Sequence, residues 1–336
     1  MTYFIIGGSN SIFKDGWVSL FSEQVSEPCV NRSVGATTTL TGIYRFMLPD
    51  GPATGDCVIW EYALNEINHI GRGYDPDIVL KNVEHFILLC RQRGCRLVPL
   101  IFTPRREENA ETRDPYYQRL RELFTHYGVA FLDVSDAYRK AFKVDRIPAD
   151  HFIDNAHYAK TPAMLGFIAN GAVALAKAAT VPGPADPLYT AGRTLALIDG
   201  FQEDTFSNSL LTIPVAKVPS SIDLTSGGRV IAIYALCFTG FDSGIRMELH
   251  DTGDNAKKMR FSTTHQDAGR KPLLKAISLE QAGNGDWLFS PGYQLKFFPA
   301  KKGGMFYSEF RVKTELQDPV RPPPVISGVL VELGGA

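Results

Sequence analysis

The 336-residue chain carries a formal net charge of −1, with 21% charged and 44% apolar residues, the balance of an ordinary globular protein long enough for two domains or one large one. Lys and Arg are scattered rather than massed, which argues against nucleic acid or an anionic membrane as the main partner.

The chain opens on Met1-Thr2-Tyr3-Phe4-Ile5-Ile6, without the basic start, long apolar run and cleavage site of a signal peptide, so a cytoplasmic protein is expected. No stretch approaches the roughly 20 apolar residues of a membrane-spanning helix. Residues 3–6 predict a buried strand ended by Gly7-Gly8, and Ile12, Phe13, Trp17, Leu20 and Phe21 then recur at helical spacing. Cys29-Val30 predicts a second strand. Cys57-Val58-Ile59-Trp60 predicts a third, after the turn residues Gly55-Asp56. Val79, Val83, Phe86, Ile87 and Cys90 mark a helix opened by Asp75-Pro76 and stopped by Gly94. Residues 96–102 predict a fourth strand, 116–127 a helix, 129–134 a fifth strand, and Met164, Phe167, Ile168, Ala172 and Leu175 a last helix. This alternation predicts an α/β fold, a parallel sheet with helices on both faces.

Proline clusters in the linker-like segment 181–187. Beyond it the runs 229–238, 245–250, 293–298, 306–314 and 326–333 are β-branched or aromatic. They are punctuated by Gly227-Gly228, Gly283-Asn284-Gly285 and Gly303-Gly304, which predicts an all-β sandwich. The expected domains are therefore 1–180, an α/β unit, and 192–336, a β-sandwich. The five cysteines (Cys29, Cys57, Cys90, Cys95, Cys237) are odd in number and widely spread, as free thiols would be, and Cys90 and Cys95 lack a zinc or redox spacing.

Candidate polar residues fall past the ends of the predicted strands: Ser9 after the first, Gly35 after the second, Asn65 after the third, and Asp154 with His157 after the fifth. In open parallel sheets ligands bind outside the carboxyl ends of the strands, where strand order reverses. With an order 2-1-3-4-5, Ser9, Gly35 and Asn65 meet in one crevice. A serine hydroxyl becomes a nucleophile when a base takes its proton and a third group orients the base. His157 and Asp154, three residues apart, suit those two roles. The N–H groups of Ser9 and Gly35 and the Asn65 amide suit an oxyanion hole, with Ser9 at a helix N-terminus.

The segments Gly7-Gly8-Ser9-Asn10-Ser11, Arg32-Ser33-Val34-Gly35-Ala36, Tyr62-Ala63-Leu64-Asn65-Glu66 and Asp154-Asn155-Ala156-His157 resemble, in order, the four blocks of the SGNH hydrolases, the GDSL esterase and lipase superfamily. The resemblance covers roughly the first half of the chain. It implies a flavodoxin-like three-layer sheet, a catalytic triad of Ser9, His157 and Asp154, and O-acetylated carbohydrate or another small acyl ester as substrate. Two departures stand out: Gly8 replaces the aspartate usual before the serine, and Ala63-Leu64-Asn65-Glu66 replaces Gly-x-Asn-Asp.

Other readings of the same residues are open. Ser9 could cap the helix near Ile12, and Asn65 could be a turn residue. A metal site from His151, Asp154 and His157 is disfavoured by the six-residue spacing of the histidines, and neither metal nor cofactor is expected. The glycine turn lacks the residues of a P-loop or a dinucleotide fingerprint. Trp287, Tyr293 and Phe297 are either sandwich core or an aromatic platform for sugars. The expected function is hydrolysis of small acyl esters through an acyl-enzyme on Ser9. Its rivals are an O-acyltransferase using the same residues and a non-catalytic carbohydrate-binding protein.

Overall fold

The computed structural model describes residues 1–208, 211–239, 243–253, 255–265, 272–283, 285–300, 305–307, 314–315 and 324–334. The chain divides into two compact units, Met1–Gly71 with Asp75–Ala191, and Arg72–Tyr74 with Gly192–Ala336.

The first unit runs β1 (Tyr3–Gly7), α1 (Trp17–Gln24), β2 (Cys29–Asn31), α2 (Thr39–Met47), β3 (Cys57–Glu61), α3 (Ala63–Ile70), α4 (Pro76–Arg93), β4 (Arg96–Ile101), α5 (Arg105–Glu108), α6 (Pro115–His126), β5 (Leu132–Asp133), α7 (Val134–Phe142) and α8 (Pro162–Ala178). The strands form a parallel sheet in the order β2-β1-β3-β4-β5, the flavodoxin-like arrangement. β1 and β3 are buried at every residue, which is why their sequences read as continuous apolar runs rather than alternating ones. One face, with Tyr3, Ile5, Ile59 and Val98, packs against Trp17 and Phe21 of α1 and Met164, Ile168 and Ala172 of α8. The other presents Trp60 to Phe124 of α6, and Ile6 lies against Gly42 of α2, where a Cβ would come within 2.8 Å of the Tyr62 ring.

Three helices begin the same way, with a side-chain oxygen taking an N–H two or three residues on and proline following: Asp75-Pro76, Asp114-Pro115 and Thr161-Pro162. α4 ends at Gly94 in the left-handed region (φ 70°). After α8 the N–H groups of Leu188, Tyr189 and Thr190 all donate to the Glu84 carboxylate, which ties this segment to α4.

The elements differ from the sequence reading in several places, α2, α3, α5 and α7 among them, which the pattern did not predict. The helix expected from Ile12 begins at Trp17 behind the cap Gly16, and Ser9–Ser11 is a single separate 3-10 turn. Ser9 therefore sits at no helix N-terminus that could lend it a macrodipole. The fifth strand is only Leu132–Asp133, because the Asp133 side chain takes the Asp136 N–H and starts α7. The Asp154–His157 segment follows α7 rather than the fifth strand.

Among the described residues the second unit is antiparallel except for the pairing of Phe238-Thr239 with Thr264-His265 and the isolated bridge of Phe261 with Tyr307. One sheet contains Gly228–Thr239, Val325–Leu333 and Thr212–Lys217, the other Gly244–His250, Tyr293–Pro299 and Ser220–Leu224. Ile233 and Val329 of the first share one core with Met247, Phe297 and Ile222 of the second, which makes a β-sandwich. Trp287 and Phe297 are fully buried in that core and Tyr293 packs partly buried against it, so these aromatics build the sandwich rather than an open platform. Of the expected turns and runs, Asn284, Gly303-Gly304 and 308–313 lie outside the described residues. The five cysteines are free. Among the described residues, no helix is long and apolar enough to cross a membrane.

Candidate active site

Order reverses between β1 and β3, and the crevice at their carboxyl ends collects the residues of interest. β1 ends at Gly7, in register with Glu61 at the end of β3. The chain then makes the 3-10 turn of Ser9, Asn10 and Ser11, closed by Ser11 N–H to Gly8 C=O and Ile12 N–H to Ser9 C=O. Both glycines are needed for space. A Cβ on Gly7 would lie 2.9 Å from the Glu61 Cβ and from the Ser11 hydroxyl oxygen, and one on Gly8 would lie 2.5 Å from the Asn65 Oδ1. No L side chain fits at such distances unless a neighbour moves.

His157 comes from a tight loop. Phe152 and Tyr158 pair as an isolated antiparallel bridge, and Ile153 N–H donates to His157 C=O. Their rings stack at 5.0 Å, both buried, and the Tyr158 hydroxyl exchanges hydrogen bonds with the N–H and C=O of Thr103. Within the loop Asp154 Oδ1 takes the N–H groups of Ala156 and His157, an Asx turn that fixes the spacing of carboxylate and imidazole. The imidazole then bridges the two: Nδ1 lies 2.8 Å from Asp154 Oδ2, and Nε2 lies 2.8 Å from Ser9 Oγ. Burial raises the Asp154 pKa, but the His157 ring, its charge and the two N–H groups outweigh it and hold the carboxyl below its usual range.

A residue that the sequence reading leaves unassigned joins the two halves. Asn10, buried beside Ser9, donates from Nδ2 to Ala156 C=O and accepts on Oδ1 from Tyr158 N–H, both at 3.1 Å. It grips the backbone on either side of His157. Its trace in the sequence is no more than an asparagine directly after the serine.

Gly35 lies beside the serine: a Cβ there would sit 3.4 Å from Ser9 Cβ and 3.4 Å from the Ile12 Cδ1. The next residue, Ala36, is in the left-handed region (φ 54°), a conformation that costs a non-glycine residue about 1–2 kcal/mol and here bends the chain beyond the crevice. Asn65 is in the first turn of α3, not in a loop, and its Nδ2 donates to Thr37 C=O at 2.8 Å. That leaves its second N–H for another acceptor. Its neighbour Glu66 is fully buried and accepts from the Thr39 N–H and hydroxyl and the Tyr116 hydroxyl; burial dominates and pushes its pKa up to about 7. This knot ties α3, which carries Asn65, to α2 and α6.

Phe13, which the pattern assigned with Trp17 to a helix face, is half-buried, lies 5.3 Å from the His157 ring and carries Lys160 Nζ 4.8 Å from its centroid. His151 Nε2 lies 2.7 Å from the Tyr138 hydroxyl.

Chemically the crevice holds a hydroxyl, an imidazole in contact with it, a carboxylate on the far side of the ring, and backbone and amide N–H groups close by. The Asp154 side chain is 53% exposed, so solvent screens its charge and water can replace it. Asp154→Asn keeps the Asx acceptor on Oδ1 but sets an amide N–H against His157 Nδ1, which favours the tautomer with its proton on Nε2. If His157 serves as a base, that tautomer cannot take the Ser9 proton, and the variant is expected to lower kcat by about 10³- to 10⁴-fold, less than loss of the imidazole. Steady-state kinetics of the variant checks this.

No family model matches the sequence, and no curated protein matches it. Solved structures do resemble it. An α/β hydrolase, LAE5, from the metagenome of Lake Arreo matches 52% of this chain and 94% of its own at 17% identity and a TM-score of 0.45. The acetylxylan esterase Axe2 from Geobacillus stearothermophilus matches 52% of this chain and 93% of its own at 15% identity and a TM-score of 0.43. A protein from Bacillus subtilis matches at 14% identity and a TM-score of 0.41 over 53% of this chain, which spans only 56% of that protein's length. The likeness is one of fold.

Proposed function

We propose that the chain is a serine ester hydrolase of the SGNH type that cleaves small acyl esters, O-acetyl esters of carbohydrates foremost, through an acyl-enzyme on Ser9. The observation that carries the reading is the continuous line from Ser9 Oγ through the His157 ring to Asp154, each contact at 2.8 Å. His157 takes the Ser9 proton as Oγ attacks the ester carbonyl. It returns that proton to the leaving alcohol, and in the second half it activates water to release the acid. Asp154 orients the ring. The N–H groups of Ser9 and Gly35 and the Asn65 amide hold the oxyanion. The carbohydrate assignment rests on the resemblance of the four sequence blocks, with the β-sandwich as an accessory unit.

A fluorophosphonate probe is expected to label Ser9 in the folded protein, as mapped by peptide mass spectrometry, and short-chain nitrophenyl esters should be hydrolysed. Absence of both would move the non-catalytic carbohydrate-binding reading to first place. Incubation with labelled acetyl donor and a panel of sugars separates the remaining rival, since acetyl transfer without net hydrolysis would make the protein an acyltransferase.

A further inference from the structure

Glu61 is the last residue of β3, a strand otherwise made of Cys57, Val58, Ile59 and Trp60, and it is completely buried. No cation among the described residues pairs with it. Its Oε2 accepts from two donors that flank Ser9: the Gly8 N–H at 3.1 Å and the Ser11 hydroxyl at 2.7 Å. The Gly8 N–H also points at the Glu61 backbone carbonyl, 2.8 Å away, so side chain and main chain of one residue share a single donor. Ser11 is held from its other side as well, its carbonyl accepting from Asn31 Nδ2 at 2.6 Å. The close approach that forbids a side chain at Gly7 is an approach to Glu61.

We propose that Glu61 is a positioning residue that clamps the turn carrying Ser9, fixing its N–H and Oγ by bonding the residue before it and the residue two after it. The inference rests on the reading of Ser9 as nucleophile. A carboxyl in the dry end of a strand is costly unless its oxygens are used, and here Oε2 takes both bonds while the buried Oε1 has no hydrogen-bond partner among the described residues. Burial above all pushes its pKa up to about 8, against the Ser11 and Gly8 hydrogen bonds, so near neutral pH it is largely the uncharged acid. An uncharged acceptor is therefore sufficient for the clamp, and an apolar isostere is not.

The test compares Glu61→Gln, Glu61→Leu and Ser11→Ala with the wild type in ester hydrolysis, and follows exchange of the Gly8 amide hydrogen. Glu61→Gln keeps an acceptor oxygen and is expected to stay within about threefold of wild-type kcat. Glu61→Leu should lose about 10- to 100-fold in kcat with KM within twofold, because the turn is displaced and the mouth of the site is not. Gly8 exchange should accelerate in Glu61→Leu and not in Glu61→Gln. Should Glu61→Leu not fold, Ser11→Ala, which removes one of the two bonds, carries the test with an expected loss of about 3- to 10-fold. Folded Glu61→Leu, or Ser11→Ala, at wild-type kcat overturns the clamp, as does an equal loss in Glu61→Gln and Glu61→Leu. A wild type inactive on every ester and unlabelled by the fluorophosphonate would instead refute the Ser9 reading. Gly8 exchange would still decide whether Glu61 holds the turn.

Discussion

Ser9→Ala and His157→Ala are each expected to lower kcat for short-chain nitrophenyl esters by about 10⁵- to 10⁶-fold, with the double variant no worse than either single one. The reason lies in the 2.8 Å contact between Ser9 Oγ and His157 Nε2. A neutral serine hydroxyl is a weak nucleophile, and its reactivity depends on a base that removes the proton as the bond forms. Once either partner is gone the other has nothing to do, so the two losses do not add. Both substitutions should leave thermal unfolding nearly unchanged, since neither ring nor hydroxyl is part of the packed core around Phe152 and Tyr158 that holds the loop. Kinetics of the three variants, each with a melting curve, checks this. Equal rates in wild type and both single variants would remove these residues from the chemistry, and additive losses would mean that they act independently.

How much of this was legible in the sequence depended on what each segment does with its side chains. β1 and β3 announce themselves because burial on both faces leaves no polar position, and α4 because Asp75-Pro76 and Gly94 bracket it. α2 does not. Its sequence, Thr-Leu-Thr-Gly-Ile-Tyr-Arg-Phe-Met, has the β-branched and glycine content that intrinsic propensity disfavours. It is helical because packing overrides propensity, and Gly42 is the residue that lets it approach Tyr62 and Ile6. The four candidate blocks were visible as residue types in order, but the alternation gave only a parallel sheet, and the strand order that brings Ser9, Gly35 and Asn65 to one edge was a premise that the family resemblance implied. What the pattern could not give was the support behind them. Asn10 and Glu61 act through single hydrogen bonds across 50 residues or more of chain, such as Ser11 to Glu61 and Asn10 to Tyr158. No periodicity encodes those. The one local trace of Glu61 is an acid closing an all-apolar strand.

The two sequence departures from the SGNH pattern have different standing in the structure, and the first yields a sharp expectation. Gly8→Asp restores the residue usual before the nucleophile in that family, and by sequence logic alone it should be harmless. Here the space is taken. The new Cβ would arrive 2.5 Å from Asn65 Oδ1 and 2.9 Å from its Cγ. Asn65 cannot simply swing aside, because its Nδ2 is bound to Thr37 C=O and its helix is tied down through Glu66 to Thr39 and Tyr116. Either the amide is pushed off its acceptor or the Ser9 turn is pushed off Glu61, and each displaces a group assigned to the oxyanion. Loss of one such donor is worth about 10²- to 10³-fold in kcat. Gly8→Asp is therefore expected to cost about 100-fold or more in kcat. Gly8→Ala, which adds the Cβ and nothing beyond it, should account for most of that loss. The second departure puts Glu66 where the pattern has aspartate, and there the longer side chain is what reaches Thr39 and Tyr116. If Gly8→Asp instead matched or exceeded the wild type, Asn65 would have to be mobile enough to vacate its place, and its assignment to the oxyanion would fall with it.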